Sequence, residues 1–151
     1  MVMLEISNFI HFVGLSLGVG GATIAAIISM KAEKNPEITP AIMKIMPAIS
    51  KVIWTGLMLL IISGFMVTAY VTWPINRQML LIKHVLVVWI VLIGFFLGKT
   101  SRKMGAYAPK GKDKPSPQFL KLKKQMKAFS MINLILWYLV VLISAFVWLE
   151  Y

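Results

Sequence analysis

The stretch ISNFIHFVGLSLGVGGATIAAIISM, residues 6–30, runs without one formal charge. Its length decides the fold. A helix needs about 20 apolar residues to cross the ~30 Å hydrocarbon layer of a bilayer. Three further blocks follow, over about 52–72, 78–98 and 128–149, the third interrupted only by Lys83. The chain as a whole is 59% hydrophobic and 14% charged, whereas a soluble domain carries about 25% charged residues. Too few polar side chains are present to cover a water-facing surface. None of the four blocks alternates polar and apolar residues, which argues against a closed β-barrel. The expected fold is all-α, an integral membrane four-helix up-and-down bundle forming a single membrane domain over 1–151.

Charge gives the expected orientation. Net charge is +11, and ten of the sixteen Lys and Arg lie between Lys99 and Lys127. Beside membrane spans, that basic connection reads as a cytoplasmic loop able to touch anionic headgroups. No nucleic-acid module is visible. The connection 31–51, KAEKNPEITPAIMKIMPAISK, adds four lysines and three prolines, and the prolines limit how far the first helix continues. The turn 73–77, WPINR, holds only Arg77. The positive-inside rule then puts both long connections in the cytoplasm and both termini outside. Trp73, Tyr70, Trp148 and Tyr151 fall where aromatic anchors of the outer interface are expected. The piece QFLKLKKQMKAF, residues 118–129, reads as a short interfacial helix leading into the fourth span. The first span lacks a basic leader and is too long for a cleavable signal segment.

Both histidines of the chain, His11 and His84, sit inside apolar spans. Each lies about six residues into a span running in the same direction, so at ~1.5 Å per residue both rings fall roughly 9 Å below the outer edge. In an up-and-down bundle, spans one and three face each other diagonally. Steps of three and four from His11 meet Gly14, Gly18, Gly21 and Ala25, a face nearly bare of side chains. The same steps from His84 meet Val87, Val91, Gly94 and Gly98. Two imidazoles beside a glycine-floored groove suit a flat ligand, and haem b with His11 and His84 as iron ligands is the expected cofactor. Lys83 and Arg77 would pair with its propionates.

Plainer readings stand beside this one. Intramembrane histidines also serve as helix-to-helix hydrogen-bonding groups, and Gly14-x-x-x-Gly18 is also a close-packing motif. Lys83 can snorkel to the headgroups. Met43 and Met46, spaced three apart among eleven methionines, suggest a Cu(I) site or simple packing. The absence of cysteine excludes disulfides, iron–sulfur clusters, covalent c-type haem and thiolate metal sites. No carboxylate lies within a span core, since Glu5 and Glu150 stand at span ends. No nucleophile–base arrangement, phosphate loop or zinc signature is present. No catalytic residue is identified, and whether the chain is an enzyme stays open.

The motifs IHFVGLSLGVGGATI, WTGLMLLIISGFMV and LLIKHVLVVWIVLIG resemble the first three spans of the CopD-like and HemJ-like small haem-associated membrane proteins. The match lies in an H-x-x-G start, a G-L-x-L-L-x-x-G second span and a basic opening of the third. The HemJ-like branch uses a first-span histidine and a third-span lysine at its haem site, positions matched here by His11 and Lys83. Members of that branch oxidise protoporphyrinogen, and CopD-like members are associated with copper handling. This chain departs in having MLL before the lysine and His84 directly after it, and the 99–127 connection has no counterpart in the family pattern. The functional expectation is electron transfer through a single haem near the outer face, to a quinone or a partner subunit. The alternative is a non-catalytic accessory subunit of a larger membrane complex, with its histidines structural or holding a metal at an interface.

Overall fold

A computed structural model describes residues 2–70, 76–109 and 115–147. Four helices dominate it: α1 (Val2–Lys34), α2 (Thr39–Tyr70), α3 (Arg77–Ala106) and α4 (Pro117–Val147), with one 3-10 turn at Pro36–Ile38. Each helix is long and apolar enough to cross a membrane, and no strand occurs among the described residues. The anchor positions Trp73, Trp148 and Tyr151 lie outside the described residues, as does the side chain of Tyr70.

Local chemistry sets the helix starts. Asn76 caps α3, its side-chain oxygen accepting from the backbone N–H of Met79 at 3.2 Å. Ser116 caps α4 through the Phe119 N–H at 3.2 Å, and Pro117 follows in the first position, where no N–H is needed. Within the spans, hydroxyls return to carbonyls of their own helix: Ser16 to Phe12, Thr23 to Val19, Ser29 to Ala25 and Ser144 to Val140. Such bonds let a polar side chain enter a lipid-facing helix without an unmet donor.

The helices run alternately up and down. Asn76 N–H bonds Val147 O, joining the start of α3 to the end of α4, and Glu33 near the end of α1 pairs with Lys127 near the start of α4. Packing is unequal. α1 lies tightly against α2 and also meets α4, while α3 packs on α4. Between α2 and α3 the bridge is made by side chains, with Trp54 against Phe95 at 4.8 Å between ring centroids.

The helices outrun the expected spans. At ~1.5 Å per residue, 30 to 33 residues make roughly 45–50 Å, well beyond ~30 Å of hydrocarbon. Most of the excess stands at the lysine-rich end. α2 already begins at Thr39, thirteen residues before the apolar block at 52. Pro40 falls in its first turn, where a missing N–H costs nothing. Pro47 stands inside the helix and frees one carbonyl without ending it. The basic piece expected as a separate interfacial helix is instead the first third of α4. There Lys123 Nζ donates to Ala32 O at 3.2 Å, satisfying a carbonyl that the end of α1 leaves open.

The core is built on absent side chains. The α1 residues Ser7, His11, Gly14, Gly18, Gly21 and Ala25 recur at steps of four and three, which keeps one narrow seam facing its neighbours. A Cβ on Gly56 of α2 would lie 2.4 Å from Gly18 N and 2.7 Å from Gly14 O, so the two backbones touch. A Cβ on Gly18 would meet the ring of Trp137 at 2.5 Å. That indole comes from α4 and is 1% exposed. Around it Ala22, Leu57, Ile90 and Val140 close the cluster.

Substituting Gly56 by Val forces backbones apart and is expected to cost about 1–3 kcal/mol or more. Gly64→Ala, where a Cβ meets nothing within 4 Å, should be neutral or gain up to about 1 kcal/mol from helix propensity. Reversible unfolding in mixed micelles compares the two, and equal effects would refute this account of the seam.

Candidate functional site

The α1–α2 contact carries a polar network in the half of the bundle away from the lysine-rich end. Ser7 Oγ donates to Ser63 O at 2.9 Å. Ser63 Oγ donates to Leu60 O at 3.1 Å and lies 2.8 Å from His11 Nδ1. Both serines are fully buried, and His11 is half-buried. A hydroxyl has one proton. Ser63 can give it to Leu60 O, in which case His11 Nδ1 donates to Ser63, or to His11 Nδ1 itself. In the first arrangement the imidazole carries its proton on Nδ1 and Nε2 keeps its lone pair. A metal-ligating histidine is arranged in this way, its second nitrogen donating to an oxygen that fixes the ring.

His84 reaches the same tautomer by another route. Its Nδ1 lies 2.7 Å from Leu80 O, one turn back on its own helix. A carbonyl cannot donate, so Nδ1 carries a hydrogen, and in the neutral ring Nε2 holds the lone pair. Its setting differs, because the residue is exposed on α3. The inward stripe of α3 runs instead through Lys83, Leu86, Val87, Ile90 and Gly94, with Ile90 buried and the others half-buried. The inward stripe of α3 thus carries Lys83 and leaves His84 on the outer side of the helix. Arg77 is exposed in the first turn of α3, on the same end of the bundle.

The glycines take a different part. The space over Gly14 is filled by Gly56 and Leu60, and that over Gly18 by Trp137. Both positions bring helices together. Met43 and Met46 are half-buried on α2, and Met46 borders a groove at the opposite end. Among the described residues no three metal-binding His, Asp or Glu side chains gather, so a metal here would rest on one or two imidazoles and on groups of other kinds.

Ser7 and Ser63 were not singled out from sequence. Ser7 stands four residues before His11 on the small-residue stripe, a position that already placed it beside the ring. Ser63 gave a fainter signal, a lone hydroxyl in LIISGFMV. Only the antiparallel register set by Gly14, Gly18 and Gly56 brings it level with His11. No family model, curated protein or solved structure matches this chain.

Imidazole nitrogen chemical shifts should show the Nδ1–H tautomer for both His11 and His84. Ser63→Ala should release His11 into a mixture while leaving His84 unchanged. An Nε2–H signal from His11 in the parent protein would mean that Ser63 donates to Nδ1, and would remove the free lone pair the site offers.

Proposed function

We propose that this chain is a multi-pass membrane protein carrying a single b-type haem, which His11 would hold through Nε2, with electron transfer as its role. The observation that carries the reading is the His11 ring held by Ser63, its second nitrogen unpaired within an apolar span. Intramembrane ionisable groups are expensive and mark functional sites by default. The similarity to the CopD-like and HemJ-like proteins points to the same two residues, His11 and Lys83.

Lys83 is half-buried on the inward stripe of α3, whereas His84 is exposed. Consecutive residues on a helix differ by about 100° in direction, so His84 becomes the second ligand only if α3 turns by that amount about its axis. Arg77 and Lys83 supply cations for the two propionates. Bound haem would supply one-electron exchange at iron. By the positive-inside rule the lysine-rich end faces the cytoplasm, so both termini and the His11 site lie toward the outside. A quinone in the bilayer or a partner subunit would take or give the electron there.

A reduced-minus-oxidised spectrum of protein purified from haem-replete cells tests this. Soret and α bands are expected in the parent and should vanish in His11→Ala. Ser63→Ala should weaken haem retention about 10–100-fold. If Lys83→Ala changes the spin state and His84→Ala does not, Lys83 is the second ligand, and the reverse result assigns His84. A well-folded parent without either band sinks the haem reading.

A second reading is an accessory subunit of a larger membrane complex. It is favoured by α3, which exposes Leu81, Val85, Val88, Trp89, Leu92 and Phe95 and leaves a broad apolar face for lipid or another subunit. Recovery from native membranes in a stoichiometric, pigment-free assembly would support it over the first.

A further inference from the structure

At the lysine-rich end, the separation of α2 from α3 leaves a groove of about 1300 Å³. That exceeds the ~300–1,000 Å³ of a drug-sized pocket. Its walls are apolar, with Trp54 and Met58 on one side and Phe95 and Gly98 on the other, and its floor comes from α1 and α4. Its upper edge is cationic. Lys51 on α2 faces Lys99 and Arg102 on α3, and none of the three pairs with a carboxylate among the described residues.

A second observation lies at the floor. Asn133 of α4 is 7% exposed, and its Oδ1 has no hydrogen-bond partner. It borders both the groove and a recess of about 60 Å³ that continues beneath Trp54. A buried amide oxygen left unpaired costs about 1–3 kcal/mol, which a partner entering the groove would recover. An amide can turn about its last torsion to present oxygen or NH2, so it suits an ester carbonyl or a hydroxyl equally.

The heights fit one class of molecule. Phe96 packs against Phe129 with tilted rings, which sets Asn133 about level with residues 92–94 of α3. Lys99 is then some five to seven residues higher, about 8–10 Å, within which its flexible side chain reaches down. From the rim inward come the cations, then the Asn133 amide at about the level of Trp54 and Phe95, then Met58 one turn deeper. A phosphate at the rim, an ester between the aromatic walls beside the amide, and acyl chains running deeper follow the same sequence in a phospholipid. Basic pockets between membrane helices bind anionic lipid headgroups by this logic.

We propose that the α2–α3 groove is a binding site for one anionic phospholipid, its phosphate between Lys51 and Lys99, its ester region at Asn133 between Trp54 and Phe95, and its acyl chains running deeper past Met58. The site is distinct from the His11 network, since Gly94 and Lys83 are about 16 Å apart along α3. Neither proposal depends on the other.

Native mass spectrometry of the full chain, released from nanodiscs holding equal phosphatidylglycerol and phosphatidylcholine of matched chains, reads the occupancy. The parent should retain one phosphatidylglycerol with a preference of roughly tenfold or more. The double variant Lys51→Gln with Lys99→Gln should lose that preference, whereas Lys121→Gln with Lys124→Gln, on α4 away from the groove, should keep it. Asn133→Leu should reduce retention of either lipid, with helical content by circular dichroism confirming that it folds. Equal retention of the two lipids by the parent overturns the proposal. So does a preference that falls as much in the α4 pair as in the groove pair, which would mean a diffuse basic surface. A copurifying protein helix in the groove, unaffected by added lipid, would overturn it as well.

Discussion

The contact on which the architecture depends is the touching of two backbones, Gly14 and Gly18 of α1 against Gly56 of α2. In a bilayer the lipid tails are as apolar as leucine, so burial alone gives helices little reason to associate. Close approach supplies dispersion contacts that a side chain would prevent. It also fixes register. With Gly56 seated between Gly14 and Gly18, Ser63 falls two turns further along α2, level with His11 and Ser7 two turns back along α1. The polar network follows from an absence of side chains elsewhere on the seam.

The same contact shapes the other half of the molecule. α1 can lie close to α2 on one flank and receive Trp137 from α4 on the other, because Gly18 leaves room for the indole. With Trp137 holding α4 to α1, and α3 packed on α4, the fourth side of the bundle stays wide. Trp54 and Phe95 span it in part. The tight side of the bundle thus carries the histidine, and the loose side carries the groove. One is polar, buried and already hydrogen-bonded; the other is apolar, open and edged with cations.

The four spans and their alternation were legible from charge-free length, and the small-residue face of α1 from its spacing. Helix ends were less so. Lysine and proline marked 31–51 as a connection, but helical hydrogen bonds are local and tolerate charge once outside the hydrocarbon, and Pro47 removes one such bond only. Spacing put each histidine about six residues into its span, yet depth says nothing about azimuth. One residue of rotation separates the inward Lys83 from the exposed His84, and the apolar run LLIKHVLVVWIVLIG offers no asymmetry strong enough to choose between them. Asn133 passed unnoticed for a related reason. A single amide in a long apolar helix looks like tolerated polarity until its neighbours are known.

The unequal overhang of the helices bears on how the molecule rides in its membrane. Lys31, Lys44, Lys99, Lys103, Lys121 and Lys124 form a collar around one end, and dragging any of them into hydrocarbon is costly. At the far end the described helix tips carry only Glu5 and Arg77 near the boundary. Vertical registration is therefore set from a single face. When bilayer thickness varies, the collar holds its depth and the opposite tips absorb the mismatch. The His11 network lies close to that adjustable boundary, whereas the groove beside the collar keeps a constant distance from its headgroups.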